Sequence, residues 1–411
     1  MFTKLRATLT VVTLGSMLAV TACTSGPTAS GSAPSAEVGS ITSSANATSD
    51  ARGKGWNKTP APEPTETAPA EPAPAAPAPT EETAQPAPEV VAPSPVPTTT
   101  APAPAPAATG DEFIFGLGSQ AYQIEQEPLV QQAPVGMYTS WFNFRSDLGF
   151  FNLYKDSVTP KTYAAGKAMH LVVWPISSKS GAWEKDGWVD TKYGKVCGAS
   201  YPLSREFQAD MVELAKDTGG SADGPPLYVS MFTEFTTYPC GETGGSWKTG
   251  EPYYKALKDA YMEAMNTFHT YAPNSKVGLT WGGWEITYGT PEQQNGKYLI
   301  PYFKDVMDAS DIQSFQAMST IDNVGQTTEM VKELAKYGTG KSLQAHYKPD
   351  DSNTAVFDRD MDGFFTPEKM AELKANGLFG FSFLDPALLS SSQSRFEKVK
   401  TAIQTYAKSA S

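Results

Sequence analysis

Eight short apolar runs, separated mostly by amphipathic stretches, fill the chain from residue 111 to residue 411. They fall at 113–117, 137–142, 169–174, 227–232, 276–281, 311–317, 342–346 and 378–383. Runs of this length, rich in β-branched and aromatic residues, read as strands buried on both faces. The intervening stretches carry helical spacing. In 203–217, Phe207, Met211, Leu214 and Ala215 share one face, and in 251–271 Leu257, Tyr261, Met265 and Phe268 do the same. The segments 327–336 and 367–375 have the same character, and Pro367 suits a first helical turn. Eight strands alternating with helices over about 300 residues predict an α/β fold of the (β/α)8 TIM-barrel type, with a doubly wound sheet as the structural alternative. The stretch 120–136 reads poorly as the first helix.

The preceding residues cannot join that core. From residue 23 to residue 110 the chain is mostly Ser, Thr, Ala, Pro and Glu, without periodic apolar residues. Such a composition cannot bury enough surface to offset its ordering entropy, and proline favours an extended spacer. A disordered stalk is expected there. Residues 1–22 form a short basic start followed by an uncharged apolar run, too short for a permanent span and typical of a signal peptide. The run ends in Leu18-Ala19-Val20-Thr21-Ala22-Cys23. This resembles the lipobox of bacterial lipoproteins, which implies cleavage before Cys23, a lipid on its sulfur, and a place at the outer face of the cell membrane. The other two cysteines, Cys197 and Cys240, are then expected to pair in an oxidising compartment. A formal charge of −12 and the lack of any basic cluster argue against nucleic acid. A monomer is expected.

In a barrel of this type, chemistry sits where the strands end. Aromatic residues gather at the expected ends: Trp141, Trp174, Trp281, Trp284 and Tyr347. Flat rings beside hydrogen-bonding groups suit a pyranose, which has apolar C–H faces and a polar rim. His346 and Asp385 are candidates for such polar contacts. Two glutamates, Glu234 and Glu285, follow the fourth and fifth runs. Strand spacing of about 4.8 Å would let their carboxyls reach the separation of about 5–5.5 Å that retaining glycosidases use.

The run from Leu227 to Glu234, a long amphipathic helix, and then Val277-Gly-Leu-Thr-Trp281 resemble the middle of clan-A glycoside hydrolases, with the family-26 β-mannanase group as the nearest image. The resemblance implies polysaccharide as substrate and Glu234 as general acid/base. Two positions depart from the pattern. Thr233 stands where many such enzymes carry Asn, and the seventh run is followed by Tyr347-Lys-Pro-Asp350-Asp351 without the nucleophilic glutamate. Glu285, Asp350 or Asp351 is left for that role, or the site holds glycan without cutting it. A solute-binding lipoprotein of a transporter is a further alternative.

The segment Asp358-Arg-Asp360-Met-Asp362-Gly363 matches the start of a calcium loop, although the twelfth position is Lys369 rather than Glu. No cofactor is required by this reading. A structural calcium held by Asp358, Asp360 and Asp362 is the expectation, against an Asp-rich turn that caps a helix.

Overall fold

The computed structural model describes residues 113–119, 121–180, 187–240, 246–289, 296–349 and 352–407. The expected signal peptide over 1–22, Cys23, the expected stalk over 23–110, Asp350 and Asp351 lie outside the described residues. Among the described residues ten strands are formed: β1 Ile114–Leu117, β2 Met137–Phe142, β3 Ala168–Val173, β4 Gly187–Thr191, β5 Gly194–Gly198, β6 Leu227–Met231, β7 Ser275–Trp281, β8 Gln313–Ala317, β9 Ser342–Tyr347 and β10 Leu378–Phe383. Eight of them close into a parallel barrel in the order β1-β10-β9-β8-β7-β6-β3-β2. Because β1 pairs with both β2 and β10, the sheet has no edge, and the doubly wound alternative is excluded. Each barrel strand overlaps one of the eight apolar runs of the sequence.

Helices cover the outside. Arg205–Thr218 buries Phe207, Met211 and Leu214, and starts where Ser204 accepts from the Phe207 amide. Trp247–Tyr271 buries Leu257, Tyr261, Met265 and Phe268. The ambiguous stretch after β1 forms two short helices, Ala121–Ile124 and Pro128–Gln132. No helix among the described residues is long and apolar enough to cross a membrane.

Strands β4 and β5 were not apparent from the sequence. They make an antiparallel hairpin between β3 and the helix Arg205–Thr218. A disulfide between Cys197 and Cys240 ties this hairpin to the segment after β6. The Cys240 amide also donates to the Cys197 carbonyl at 3.1 Å. Gly198 permits the approach: a Cβ there would stand 2.4 Å from the Tyr253 ring.

Inside the barrel the side chains stack in layers, as parallel barrels require. The bottom is apolar: Met137, Ala168, Ile312 and Leu343 cluster with Ile114, Tyr228 and Phe379. The middle is a polar belt. Ser382 bonds Thr139, Thr139 bonds His170 Nδ1, His170 Nε2 bonds Ser230, and Ser230 bonds Ser314, all at 2.7–3.1 Å. Gly116 leaves room for the belt, since a Cβ there would meet Ser382 Oγ at 2.8 Å.

Candidate functional site

The top layer is built from strand ends on all sides of the barrel. β6 stops at Met231, and the backbone then turns sharply. Phe232 and Glu234 both take left-handed conformations, with φ of 62° and 61°. A side chain in that region is strained, and such strain gathers at functional sites. The turn is held from several directions. The Thr237 amide and hydroxyl both donate to the Glu234 carbonyl, and Tyr238 Oη donates to the Thr233 carbonyl.

Glu234 thereby reaches the barrel interior. Gln316 Nε2 donates to Glu234 Oε1 at 3.1 Å. Gln316 belongs to β8, and β7 lies between β8 and β6, so this bond spans the inner side of β7. The inward residue of β7 there is Thr280, in register with Ser314. Gln316 Oε1 in turn meets His346 Nε2 at 2.7 Å. The His346 ring lies 4.7 Å from that of Trp141, across the barrel on β2, and Trp141 meets Trp174 edge-on at 6.3 Å. Glu234, Gln316, His346, Trp141 and Trp174 therefore run around the barrel axis and return to β3, the neighbour of β6.

The electrostatics follow from burial. His346 is fully buried and its pKa is pushed down to about 3, so it is neutral. Burial raises the Glu234 pKa, and the bond from Gln316 partly opposes that rise. Glu234 nevertheless keeps partial exposure, unlike Gln316 and His346. Trp141 Nε1 and His346 Nδ1 are buried without a hydrogen-bond partner among the described residues.

Other candidate residues fall elsewhere. Glu285 is fully buried in the turn Gly283–Thr287 after β7, and its Oε1 accepts from the Leu299 amide at 2.7 Å. Burial pushes its pKa up to about 8. Glu285 thus faces the segment before Ile300, whereas Glu234 faces Gln316. Trp281 points outward and is fully buried between Phe235 and Phe303. Tyr347 also points outward, under Phe357 and Phe364, with its hydroxyl on Asp360. His346 spends its Nε2 on Gln316 rather than on open space. Asp385 caps the helix Pro386–Leu389 through the Leu388 amide. Trp284 stays partly exposed and folds over Gly282, where a Cβ would come within 2.5 Å of its ring.

The calcium loop is not formed. Thr354–Phe364 is an α-helix, capped by Asn353 and anchored by Phe357, Met361 and Phe364. Carboxylates two residues apart on a helix diverge by about 200° and cannot wrap one ion. Asp358 pairs with Arg395, Asp362 with Lys398, and the buried Asp360 accepts from Asn323, Tyr347 and Arg359. No cluster of metal-binding side chains occurs among the described residues.

Gln316 is the residue that sequence reasoning missed. Its inward position beside Ser314 on the same strand was the available signal.

No family model matches the chain, and no curated protein matches it in sequence. Solved structures that it is similar to include a psychrophilic glycoside hydrolase family 10 endo-β-1,4-xylanase, at 12% identity over 67% of this chain and 87% of that one, with a TM-score of 0.43. The GH53 catalytic domain of Ignisphaera aggregans gives 12% identity over 68% and 86%, with a TM-score of 0.42. The GH26-CBM35 β-(1,4)-mannanase of Podospora anserina gives 12% identity over 73% and 62%, with a TM-score of 0.39.

Proposed function

We propose that this chain is a glycoside hydrolase acting on an extracellular or cell-wall polysaccharide, with Glu234 as the acid/base, held at the outer face of the cell membrane by a lipid on Cys23. The observation that carries this reading is Glu234 itself. It follows the fourth barrel strand in a left-handed turn, is partly open, and has its pKa raised by burial. A glutamate of that kind keeps its proton nearer neutrality and can act as a general acid. It gives the proton to the glycosidic oxygen as the bond from that oxygen to the anomeric carbon breaks, and the bonding electrons leave with the oxygen. Trp141 and Trp174 offer ring faces for the C–H faces of the sugar.

Glycoside hydrolysis needs a second carboxyl, as nucleophile or as the base for water. With Glu285 directed to Leu299, Asp350 and Asp351 are the candidates. The diversion of Glu285 also favours a second reading, in which the same mouth binds glycan without cutting it. A transporter's solute-binding protein needs two lobes, whereas the described residues from 113 onward form one closed barrel.

The test is to incubate the full chain and Glu234→Gln with soluble β-mannan, β-xylan and β-glucan, measuring released reducing ends and binding in parallel. Hydrolysis predicts product from the native chain, and a loss of at least about a hundredfold in Glu234→Gln with binding kept. Binding without product supports the second reading. Full activity in Glu234→Gln removes Glu234 from the mechanism.

A further inference from the structure

We propose that Gln316 and His346 are positioning residues for Glu234: His346 fixes which way the Gln316 amide faces, and Gln316 then presents an N–H to the Glu234 carboxyl. This rests on the proposed role of Glu234 and adds the means by which its protonation is set.

The geometry is directional. An amide side chain can be turned end for end with little change in shape, so its orientation is decided by its partners. Gln316 touches Glu234 Oε1 with one end and His346 Nε2 with the other. When Glu234 is ionised it only accepts, so Gln316 Nε2 must face it and Gln316 Oε1 must face His346. The carbonyl oxygen cannot donate, so His346 carries its proton on Nε2. Nδ1 is then a bare acceptor, and it has no hydrogen-bond partner among the described residues. A histidine left unmatched at Nδ1 is held for what Nε2 does, since a buried unmatched acceptor costs stability.

The arrangement differs from that of the other barrel histidine. His170 lies between Thr139 and Ser230, whose hydroxyls can each donate or accept, so neither of its tautomers is imposed. His346 faces an amide that carries direction onward to a carboxyl. Gln316 and His346 are 1% and 0% exposed, so water does not compete for either bond.

Other groups near the relay do not replace it. Tyr238 lies under Glu234, but its hydroxyl is committed to the Thr233 carbonyl. His170 is the ionisable neighbour that feels His346, and its own pKa is pushed down to about 3, so both rings are neutral. Among the described residues the Gln316 bond is thus the interaction that favours the charged form of Glu234, against burial, which disfavours it.

The experiment titrates Glu234 directly, without substrate. The full chain is labelled at glutamate side-chain carboxyls with carbon-13 and followed by NMR from pH 3 to 9, with Glu234→Gln identifying the signal. His346→Phe keeps a ring against Trp141 and removes the donor. His346→Gln restores a donor of similar reach. Gln316→Leu removes the amide, and Gln316→Met serves if the leucine variant does not fold. The expected result is a midpoint moved to higher pH in His346→Phe and in Gln316→Leu, and moved back toward the native value in His346→Gln. A native midpoint in His346→Phe overturns the proposal, as does a shift to lower pH in either variant. Because no sugar is involved, the outcome is independent of hydrolysis. A native chain that cuts no glycan yet shows these shifts keeps the relay and rejects the enzymatic reading.

Discussion

Replacing Glu285 with glutamine should change how the stability of the domain depends on pH. Glu285 is fully buried, and its pKa rises from the usual 4.5 to about 8. The folded protein therefore holds a proton that the unfolded chain releases above pH 4.5. Its contribution is fully present below pH 4.5 and is lost as pH rises toward 8, at about 1.4 kcal/mol per unit. Two groups run the other way. His170 and His346 are pushed down from 6.5 to about 3, so their contribution is present above pH 6.5 and is lost as pH falls toward 3. Between pH 4.5 and 6.5 the unfolded chain binds two histidine protons against one on folded Glu285. Together these three groups contribute a net climb of about 1.4 kcal/mol per unit up to pH 6.5 and a decline above it. In Glu285→Gln the part of the decline that Glu285 causes should vanish, and the climb should steepen by about 1.4 kcal/mol per unit. The amide oxygen still accepts from Leu299, so the fold is kept. Between pH 5 and pH 7.5 the variant should gain about 3 kcal/mol relative to the native chain. Urea unfolding followed by tryptophan fluorescence, with the disulfide intact, measures this at each pH. Curves that stay parallel across that interval would refute the reasoning, because Glu285 would then not be held protonated in the fold.

Three further outcomes are expected. Glu234→Gly should be more stable than Glu234→Ala by about 1 kcal/mol in chemical unfolding, because both lose the carboxyl and only glycine relaxes at φ 61°. Cys197→Ser with Cys240→Ser reopens a loop of 43 residues and should lower stability by about 4 kcal/mol in the chain-entropy account, and reductant should add nothing in that variant. Asp360→Ala leaves Tyr347 Oη and one of the two Asn323 Nδ2 hydrogens unmatched in the interior, the other staying on the Ser319 carbonyl, and should cost about 2–4 kcal/mol, whereas calcium or a chelator should leave the thermal midpoint of the native chain unchanged.

The barrel was legible because each of its strands is a short apolar run set off by helical spacing. The direction of each side chain was not. In a parallel barrel both faces of a strand are buried, so the apolar-polar alternation that marks an exposed face is missing. Trp281 and Trp141 both sit at strand ends, yet Trp281 packs outward on Phe303 and Trp141 inward on His346. Small residues carried the missing information. Gly278 and Thr280 mark the inward face of β7, and Trp281 follows them on the other parity. The aspartate motif failed for a different reason. Phe357, Met361 and Phe364 supply helical spacing through the same residues, and that apolar stripe decided the conformation. The carboxylates then found Arg395 and Lys398, cations from a helix that local spacing cannot place.

The same logic separates the two barrel histidines, which the sequence presents alike, each within an apolar strand. Their difference lies in what faces them. Hydroxyl partners absorb either tautomer, so His170 serves the polar belt wherever its proton rests. Gln316 accepts one tautomer when Glu234 is ionised. His346 with its proton on Nε2 and Gln316 with its N–H on Glu234 are thus a single arrangement, and no net charge enters the barrel. A cationic His346 would lie above neutral His170 and oppose its charging, so the interior works as a donor and acceptor network only at pH values where both rings stay neutral.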